Sequence, residues 1–159
     1  MNAAACNDAR IRPSGSAFIA LLECFRASGG TAPGEIVGRL LEEHRIGDAT
    51  SLAQLVHSGR VFGCEWRASL WIPMFQFDAD DLSLRTDVQQ VRAALPPLWS
   101  GWDVATWFAT PNARLDDHCP VHQMNLDPDA VLQAAQPRGR IDPPALLHRM
   151  RSHEPAMHL

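Results

Sequence analysis

The feature that most constrains this chain is a change in the spacing of its apolar residues near residue 61. Before that point, apolar side chains recur every three or four positions, which is the spacing of amphipathic helices. The runs Val61–Trp66 and Leu70–Phe77 are instead rich in aromatic and branched residues, and their separation by Arg67-Ala68-Ser69 predicts a β-hairpin. Helical spacing returns from residue 78. The sequence therefore predicts a mainly α protein, a helical bundle with a small β-hairpin.

Three helices are predicted before the hairpin, each from a start signal followed by apolar residues at helical spacing. Ser16 is expected to cap the first helix, which ends at Gly29-Gly30. The second begins near Pro33, and the third begins with a capping box formed by Ser51 and Gln54. The apolar residues that these helices are expected to bury are Phe18, Leu21, Leu22, Phe25, Ile36, Val37, Leu40, Leu41, Leu52, Leu55 and Val56.

Helix start signals appear again after the hairpin. Thr86 and Gln89 resemble a capping box, and Ser100 is expected to cap the helix that follows. Asp127-Pro128 combines a cap with a first-turn proline, and Asp142-Pro143 does the same for a last short helix. These signals predict a second helical unit that continues into the C-terminal tail.

Proline and tryptophan give three further expectations about packing. Pro73 lacks an amide hydrogen, so its strand is expected at a sheet edge or only partly paired. Trp107 is expected in the core of the second helical unit. Trp66 and Trp71 are expected to face each other across the hairpin.

The charged residues are unevenly distributed, and this guides the division of the chain. We predict a flexible N-terminus at 1–15, a winged helix-turn-helix-like part with the hairpin at 16–77, a helical domain at 78–135, and a C-terminal tail with a short helix at 136–159. Residues 1–77 carry seven acids and seven arginines. The helical domain carries nine acids and three arginines, whereas the tail carries two acids and four arginines. A uniformly basic nucleic-acid coat is therefore excluded.

Composition places the chain among cytoplasmic globular proteins. Its longest apolar runs are too short to cross a bilayer, and no secretion signal opens it. The four cysteines are far apart and form no CxxC pair, so we expect them to be reduced rather than to form a disulfide framework. All 14 basic residues are arginine.

Two segments resemble the Xre/MbcA/ParS toxin-binding family. The first is Ile72-Pro73-Met74-Phe75-Gln76-Phe77, and the second runs from Trp107 to Ala135 with the pattern W-F-x-x-P-N-x-x-L, then Pro120, then D-P-x-x-V-x-x-A-A. The glycine that the family has just after Leu115 is replaced by Asp116-Asp117. The positions that fall on the pattern are Phe75, Gln76, Phe77, Trp107, Pro111, Leu115, Pro120, Val131 and Ala134.

The resemblance implies an antitoxin-like function. Members of the family are usually antitoxins of two-gene modules, and they neutralise a neighbouring RES-type toxin that destroys nicotinamide dinucleotide. Many also repress their own operon through an N-terminal helix-turn-helix. The resemblance thus implies a cognate toxin as partner, operator DNA as a second ligand, and a homo-oligomer.

The N-terminal part carries residue types suited to DNA. The order of two helices and a hairpin is typical of winged helix-turn-helix domains, in which one helix enters a groove and the hairpin lies beside it. Arginines contact phosphates and guanine edges, and amides pair with adenine. The candidate DNA-binding residues are Arg45, Gln54, His57, Arg60 and Arg67. The alternative is that these are solvated residues on a helical scaffold that packs against the second domain.

Tryptophans and tail arginines are the candidate partner-binding residues. Trp99 and Trp102 are the tryptophans most expected to be exposed, and tryptophan is enriched at interface hot spots. Members of the family commonly extend their C-terminal end toward the toxin's nucleotide pocket, where guanidinium groups would pair with acidic groups. The arginines of the tail are Arg138, Arg140, Arg149 and Arg151. The alternative is that the tail packs through its apolar residues while its arginines face water.

Enzyme and metal functions are weaker alternatives. Cys119 and His122 supply two zinc-type ligands at a spacing that a turn could hold, but a second pair is not visible nearby. His118 is adjacent to Cys119, and adjacent side chains generally point apart, so a nucleophile and base pair is not expected. We therefore predict no catalytic site, no metal and no cofactor. A stand-alone transcription regulator and a protein-interaction adaptor without DNA binding remain the alternative functions.

Overall fold

The structure is a computed structural model that describes residues 13–44 and 51–137. These residues form a mainly α protein with a small β part, which confirms the predicted fold class at that level. The helices are α1 Gly15–Phe25, α2 Gly34–His44, α3 Leu52–His57, α4 Thr86–Ala94, α5 Gly101–Ala109, α6 Pro120–Gln123 and α7 Pro128–Ala135. The strands are β1 Thr31–Pro33, β2 Cys64–Trp66 and β3 Ser69–Pro73. Short 3-10 turns lie at Arg26–Ser28, Met74–Gln76 and Ala113–Leu115. No described helix is long and apolar enough to cross a bilayer.

Side-chain caps start three of the helices as predicted. Ser51 accepts the Gln54 amide, and the Gln54 side chain accepts the Ser51 amide at 3.0 Å, so the capping box before α3 is confirmed. Ser100 caps α5 with reciprocal bonds to Asp103, and Asp127 accepts the Ala130 amide before the first-turn proline of α7. These signals are local in sequence, and local geometry satisfies them.

Two predicted caps are wrong by one or two positions. Ser14, not Ser16, caps α1, because Ser14 is the extended residue whose hydroxyl accepts the Ala17 amide at 3.2 Å. Thr86 is the first residue inside α4 rather than its cap. Arg85 stands at the cap position without a side-chain cap bond, and its guanidinium pairs with Asp87 at 2.7 Å instead. The start of α4 is therefore held by an ion pair and not by a capping box.

The sheet differs from the predicted hairpin by one additional strand. β1 pairs antiparallel with β3, and β3 pairs antiparallel with β2, so β3 is the central strand. The expectation of an edge strand at Pro73 is wrong, because Pro73 ends the central strand opposite Thr31. The alternative, a partly paired strand, is confirmed, since β2 pairs only with Ser69–Trp71. Met74, immediately after it, donates its amide to the Gly30 carbonyl at 2.9 Å. The missing amide hydrogen is tolerated because the strand stops there.

The hairpin turn is shorter than predicted. Trp66 pairs with Ser69, so that only Arg67 and Ala68 form the turn. Both residues have left-handed backbone angles, with φ of 48° and 62°. Two successive left-handed residues are the geometry of a tight two-residue hairpin turn, which usually contains Asn or Gly. The arginine at this tip therefore occupies a backbone conformation that its type rarely adopts.

Two hydrophobic clusters fill the described structure. Cluster one lies between α1, the 3-10 turn after β3 and helices α4–α7, and cluster two lies between α2, α3 and the sheet. Cluster one contains Leu21, Phe25, Phe62, Cys64, Phe75, Val88, Val91, Leu95, Val104, Ala105, Phe108, Leu115, Val121, Met124, Val131 and Ala134. Cluster two contains Val37, Leu41, Leu52, Leu55, Val61, Ile72 and Phe77. Cluster one thus joins the first helix to the C-terminal helices.

The predicted core is confirmed only in part. Phe108 is completely buried, whereas Trp107 is half-buried and contacts Phe108 edge to face at 5.0 Å. The expectation of Trp107 as the core residue is therefore wrong, because the neighbouring side chain takes the inward face of α5. Ile36 is also exposed, since the inward face of α2 is covered by Val37 and Leu41.

A buried amide links the two strand-forming runs. Gln76 accepts the Phe62 amide at 2.9 Å and donates to the Phe62 carbonyl at 2.8 Å, and it also donates to the Pro73 carbonyl at 3.0 Å. Its side chain is 3% exposed. Gln76 therefore satisfies both backbone groups of Phe62 in the manner of a neighbouring strand.

A contact between two glycines brings α5 against the segment before β2. A Cβ atom on Gly101 would lie 1.9 Å from the Gly63 carbonyl oxygen and 2.9 Å from its carbon. A Cβ on Gly63 would lie 2.7 Å from Ile72 Cδ1 and 2.8 Å from Leu70 Cδ1. The absence of side chains at both positions allows the backbones to approach this closely.

Candidate nucleic-acid interface

The surface of α3 carries two of the predicted DNA-binding residues. Gln54 and His57 are both exposed. The Gln54 oxygen accepts the Ser51 amide in the capping box, and bidentate recognition of adenine requires both the oxygen and the nitrogen of an amide. Gln54 is thus engaged in helix capping, and His57 is the α3 side chain best placed to reach a base edge.

Two of the predicted arginines lie outside α3, one after its C-terminal end and one at the hairpin tip. Arg60 follows α3 and is exposed, and Arg67 lies at the tip of the hairpin with its guanidinium carbon 5.8 Å from the centre of the Trp66 ring. Stacking on tryptophan holds a guanidinium in place without neutralising its charge. Arg45, the remaining candidate, lies outside the described residues.

A cleft of about 380 Å³ between the end of α3 and α4 contains an arginine that the sequence had not singled out. Arg60 and Arg92 both line it, together with Ser58, Gly59 and Gln89. Burial lowers the pKa of Arg92 from its ordinary value. Within the described residues the ion pairs are Arg26 with Glu23 and Arg85 with Asp87, so neither cleft arginine faces a carboxylate there. Two such guanidinium groups in one cleft favour an anion.

Trp99 and Trp102, the predicted partner-binding tryptophans, are half-buried. Trp99 packs against cluster one. Trp102 donates from Nε1 to the Glu65 carbonyl at 2.9 Å and lies edge-on to Trp66 at 6.4 Å. Phe18 stacks on Trp66 at 4.9 Å and also contacts Trp71 at 5.5 Å, so the two hairpin tryptophans meet through Phe18 rather than directly.

Residues 78–135 differ from the N-terminal part in their exposed residues, which include eight aspartates and two large apolar side chains. Leu98 is 96% exposed and Leu126 is 76% exposed, each in a connection that leads into a helix. The exposed aspartates of this part are Asp78, Asp80, Asp81, Asp103, Asp116, Asp117, Asp127 and Asp129. The sequence signal for Leu98 was its place directly after Pro96-Pro97, where no helix could bury it. The tail arginines Arg138, Arg140, Arg149 and Arg151 lie outside the described residues.

The His118–His122 segment forms contacts within the protein. His118 Nδ1 donates to the Leu115 carbonyl at 2.9 Å, and Cys119 donates to the Ala109 carbonyl at 3.3 Å. His122 Nε2 donates to the Cys24 carbonyl at 3.1 Å. In the described part of the chain, no three side chains of the metal-binding types come together in a way that could hold an ion.

Comparisons with family models, with curated proteins and with solved structures gave no significant match to this chain.

Proposed function

We propose that this protein is an antitoxin-like regulator, which binds operator DNA through its N-terminal part and a RES-type toxin through its C-terminal part. The observation that carries the proposal is the order helix, strand, helix, helix, strand, turn, strand, in which the first strand pairs with the last. This order matches a winged helix-turn-helix domain, in which α3 enters the major groove and the hairpin contacts the backbone beside it.

The charged residues near α3 support contact with the phosphate backbone. Arg67 at the hairpin tip and Arg60 after α3 would bind phosphates, and His57 on α3 would face base edges. Arg92 would add a contact from α4, because it lines the same cleft as Arg60. The exposed aspartates of residues 78–135 would repel DNA, so the proposed binding surface comprises the N-terminal part and, from the C-terminal part, Arg92 alone.

Binding to the DNA upstream of the gene tests this half of the proposal. Arg60→Ala and Arg67→Ala should each weaken binding several-fold, and each should reduce the slope of log affinity against log salt by about 1. Arg26→Ala is the matched control, because Arg26 is an exposed arginine on the 3-10 turn after α1 and is already paired with Glu23. Its affinity and salt slope should be unchanged. If the intact protein fails to shift this DNA at low salt, the proposal of DNA binding is wrong. The result would then favour a protein-interaction adaptor without DNA binding.

The resemblance to the toxin-binding family is supported by the roles of the matching residues. Most of the matching apolar residues belong to the two hydrophobic clusters, and Gln76 satisfies a buried backbone. Asp116, which stands where the family has glycine, has a left-handed φ of 52°. Aspartate is one of the few other residues that tolerates this conformation. A left-handed backbone at Asp116 is compatible with the glycine that the family pattern has there.

The acidic helices and the exposed leucines are the proposed toxin-docking surface. An acidic face favours a basic partner and steers its approach, whereas Leu98 supplies apolar area that is otherwise left in water. The tail arginines would reach the toxin's nucleotide pocket, where guanidinium groups pair with acidic groups. Docking and inhibition would then be performed by different segments.

Co-expression with a RES-type toxin encoded beside this gene tests the docking half. Leu98→Ser should weaken complex formation at least about tenfold, whereas Ile19→Ser on α1, at 61% exposure, is the control that should not. Truncation after Ala135 should leave a folded protein that still binds the toxin but no longer protects the cells. Full protection by the truncated chain would confine inhibition to the acidic helices. Absence of binding by the intact chain would favour a stand-alone transcription regulator.

A further inference from the structure

Two cysteines that are distant in sequence meet where the end of α1 contacts the turn before α6. Cys24 donates to the Ala109 carbonyl at 3.7 Å, and Cys119 donates to the same oxygen at 3.3 Å. The Cys119 thiol is close enough to Cys24 to contribute to the raised pKa of the Cys24 thiol. Both side chains are half-buried rather than enclosed. Neither thiol has a role in the DNA-binding or toxin-docking surfaces proposed above.

The position of the pair is fixed by contacts from both sides. His122 on α6 donates from Nε2 to the Cys24 carbonyl at 3.1 Å, and the same nitrogen lies 3.9 Å from the Cys24 sulfur. Cys119 stands at the cap position of α6, immediately before its first-turn proline. Since both thiols donate to the one Ala109 carbonyl oxygen, the two sulfurs are neighbours at the end of α5, and rotation of the side chains away from that oxygen would let them bond to each other.

We propose that Cys24 and Cys119 form a thiol–disulfide switch that a low-molecular-weight disulfide, such as oxidised glutathione, closes into an intramolecular bridge. One cysteine thiolate attacks a sulfur of the oxidant, forms a mixed disulfide and releases one glutathione thiolate. The second cysteine then attacks the protein sulfur of that mixed disulfide and releases the other glutathione. Two protein thiols lose two electrons and two protons, and two glutathione molecules carry them away as thiols.

Proton loss from Cys24 sets the pH at which it can attack. Burial and the neighbouring Cys119 thiol raise the pKa of Cys24 to about 11. The titratable groups that face Cys24 from the packed elements are Cys119 and His122. Because only the thiolate attacks, closure should be slow near neutral pH and should accelerate as pH rises toward that value.

The bridge would join the first helix to the turn before α6 and would enclose most of the chain in one loop. Such a cross-link restricts the unfolded chain more strongly as the enclosed loop lengthens, and the segment between Cys24 and Cys119 is long. The oxidised protein should therefore melt at a higher temperature, by on the order of 5–15 °C. Reduction would return the protein to the form in which these thiols are free.

Mapping of disulfides after treatment with oxidised glutathione tests the proposal. The full chain carries Cys6→Ser in every sample, because Cys6 lies outside the described residues. Trypsin leaves Cys24 and Cys119 in separate peptides, 11–26 and 115–138, and Cys64 in a third, 61–67. We expect the first two peptides to be linked, with a closure rate at least about tenfold higher at roughly pH 9.5 than at roughly pH 7.5. Cys64 is the internal control, since it is buried and its pKa is raised to about 12.

Two single variants make the result decisive. Cys24→Ser and Cys119→Ser should each lose the linked peptide and the rise in melting temperature, and each should keep its remaining cysteine as a glutathione adduct. Cys64→Ala should retain the link, even if its own melting temperature falls. The proposal is overturned if the intact pair yields two glutathione adducts without a bridge, if only intermolecular bridges form, or if both thiols stay reduced at the higher pH.

Discussion

The two hydrophobic clusters differ in size and in chemistry. Cluster two, under the proposed DNA-binding surface, is mainly aliphatic and includes Phe77 as its one aromatic residue among the described residues. Cluster one contains four phenylalanines, and Phe108 contacts Phe62 at 5.8 Å and Phe75 at 4.9 Å. A large aromatic core gives more buried area for each residue than a small aliphatic one. We infer that cluster one supplies most of the stability and that α2 and α3 depend on their attachment to it.

Gly101→Ala should have the largest effect on stability, because it disrupts the close contact between α5 and the segment before β2. The new Cβ would overlap the Gly63 backbone, which cannot rotate away as a side chain could, so we expect a loss of at least about 4 kcal/mol in unfolding free energy. Urea denaturation followed by tryptophan fluorescence measures this. Gly38→Ala within α2 is the control, since a Cβ there would have no atom within 4 Å, and it should stabilise by about 0.5–1 kcal/mol. Equal effects of the two changes would mean that the backbones of Gly101 and Gly63 are not in close contact.

Phe108→Ala tests whether cluster one dominates stability. The substitution should cost about 3–5 kcal/mol, whereas Trp107→Ala, at a half-buried neighbouring position, should cost about 1–2 kcal/mol. Hydrogen exchange at Leu55, in cluster two, should accelerate in the Phe108 variant if the two clusters unfold together. Unchanged protection at Leu55 would mean that cluster two is stable independently of cluster one.

Gln76→Leu tests the polar link between the hairpin runs. Leucine has a similar volume but leaves the amide and carbonyl of Phe62 buried without partners, so we expect a loss of about 2–4 kcal/mol. Gln90→Leu on the exposed face of α4 is the control and should change stability by less than about 0.5 kcal/mol. Thermal melts of the two variants provide the measurement. Equal melting temperatures would refute the role of Gln76.

The caps should give the smallest effects, and these should be similar in the two regions. Ser51→Ala and Ser100→Ala each remove the hydroxyl from a capping box, so each should cost about 1 kcal/mol. Thr106→Ala, at an exposed position within α5, should stay within about 0.5 kcal/mol of the parent protein. A much larger loss of unfolding free energy for Ser51→Ala than for Ser100→Ala would indicate that α3 depends on its cap more than α5 does.

The features that the sequence predicted are those determined by near neighbours. The capping box at Ser51, the cap at Ser100 and the Asp127-Pro128 start depend on residues three positions apart, and all three are confirmed. β1 was not predicted, because it is only three residues long and pairs with β3 far along the chain. Its pairing made β3 central and placed Pro73 at the end of that strand, opposite Thr31.

The candidate sites were predictable to a similar extent. Residue type and position identified two exposed cations, Arg60 just after α3 and Arg67 at the hairpin tip. Arg92 could not be identified, because its proximity to Arg60 depends on how α4 packs beside the end of α3. The pairing of Cys24 with Cys119 was equally inaccessible, since the sequence contains no motif that joins them. Contacts between distant segments require the tertiary structure.

Neighbouring residues Val61 and Phe62 enter different clusters, Val61 in cluster two and Phe62 in cluster one. The same alternation follows at Ile72 and Phe75, so the segment 61–77 supplies both cores from one stretch of chain. Inserting or deleting a single residue there would send each side chain toward the wrong core. Homologues of this protein should therefore keep a constant number of residues from 61 to 77. Differences in length should concentrate in exposed connections such as 78–83.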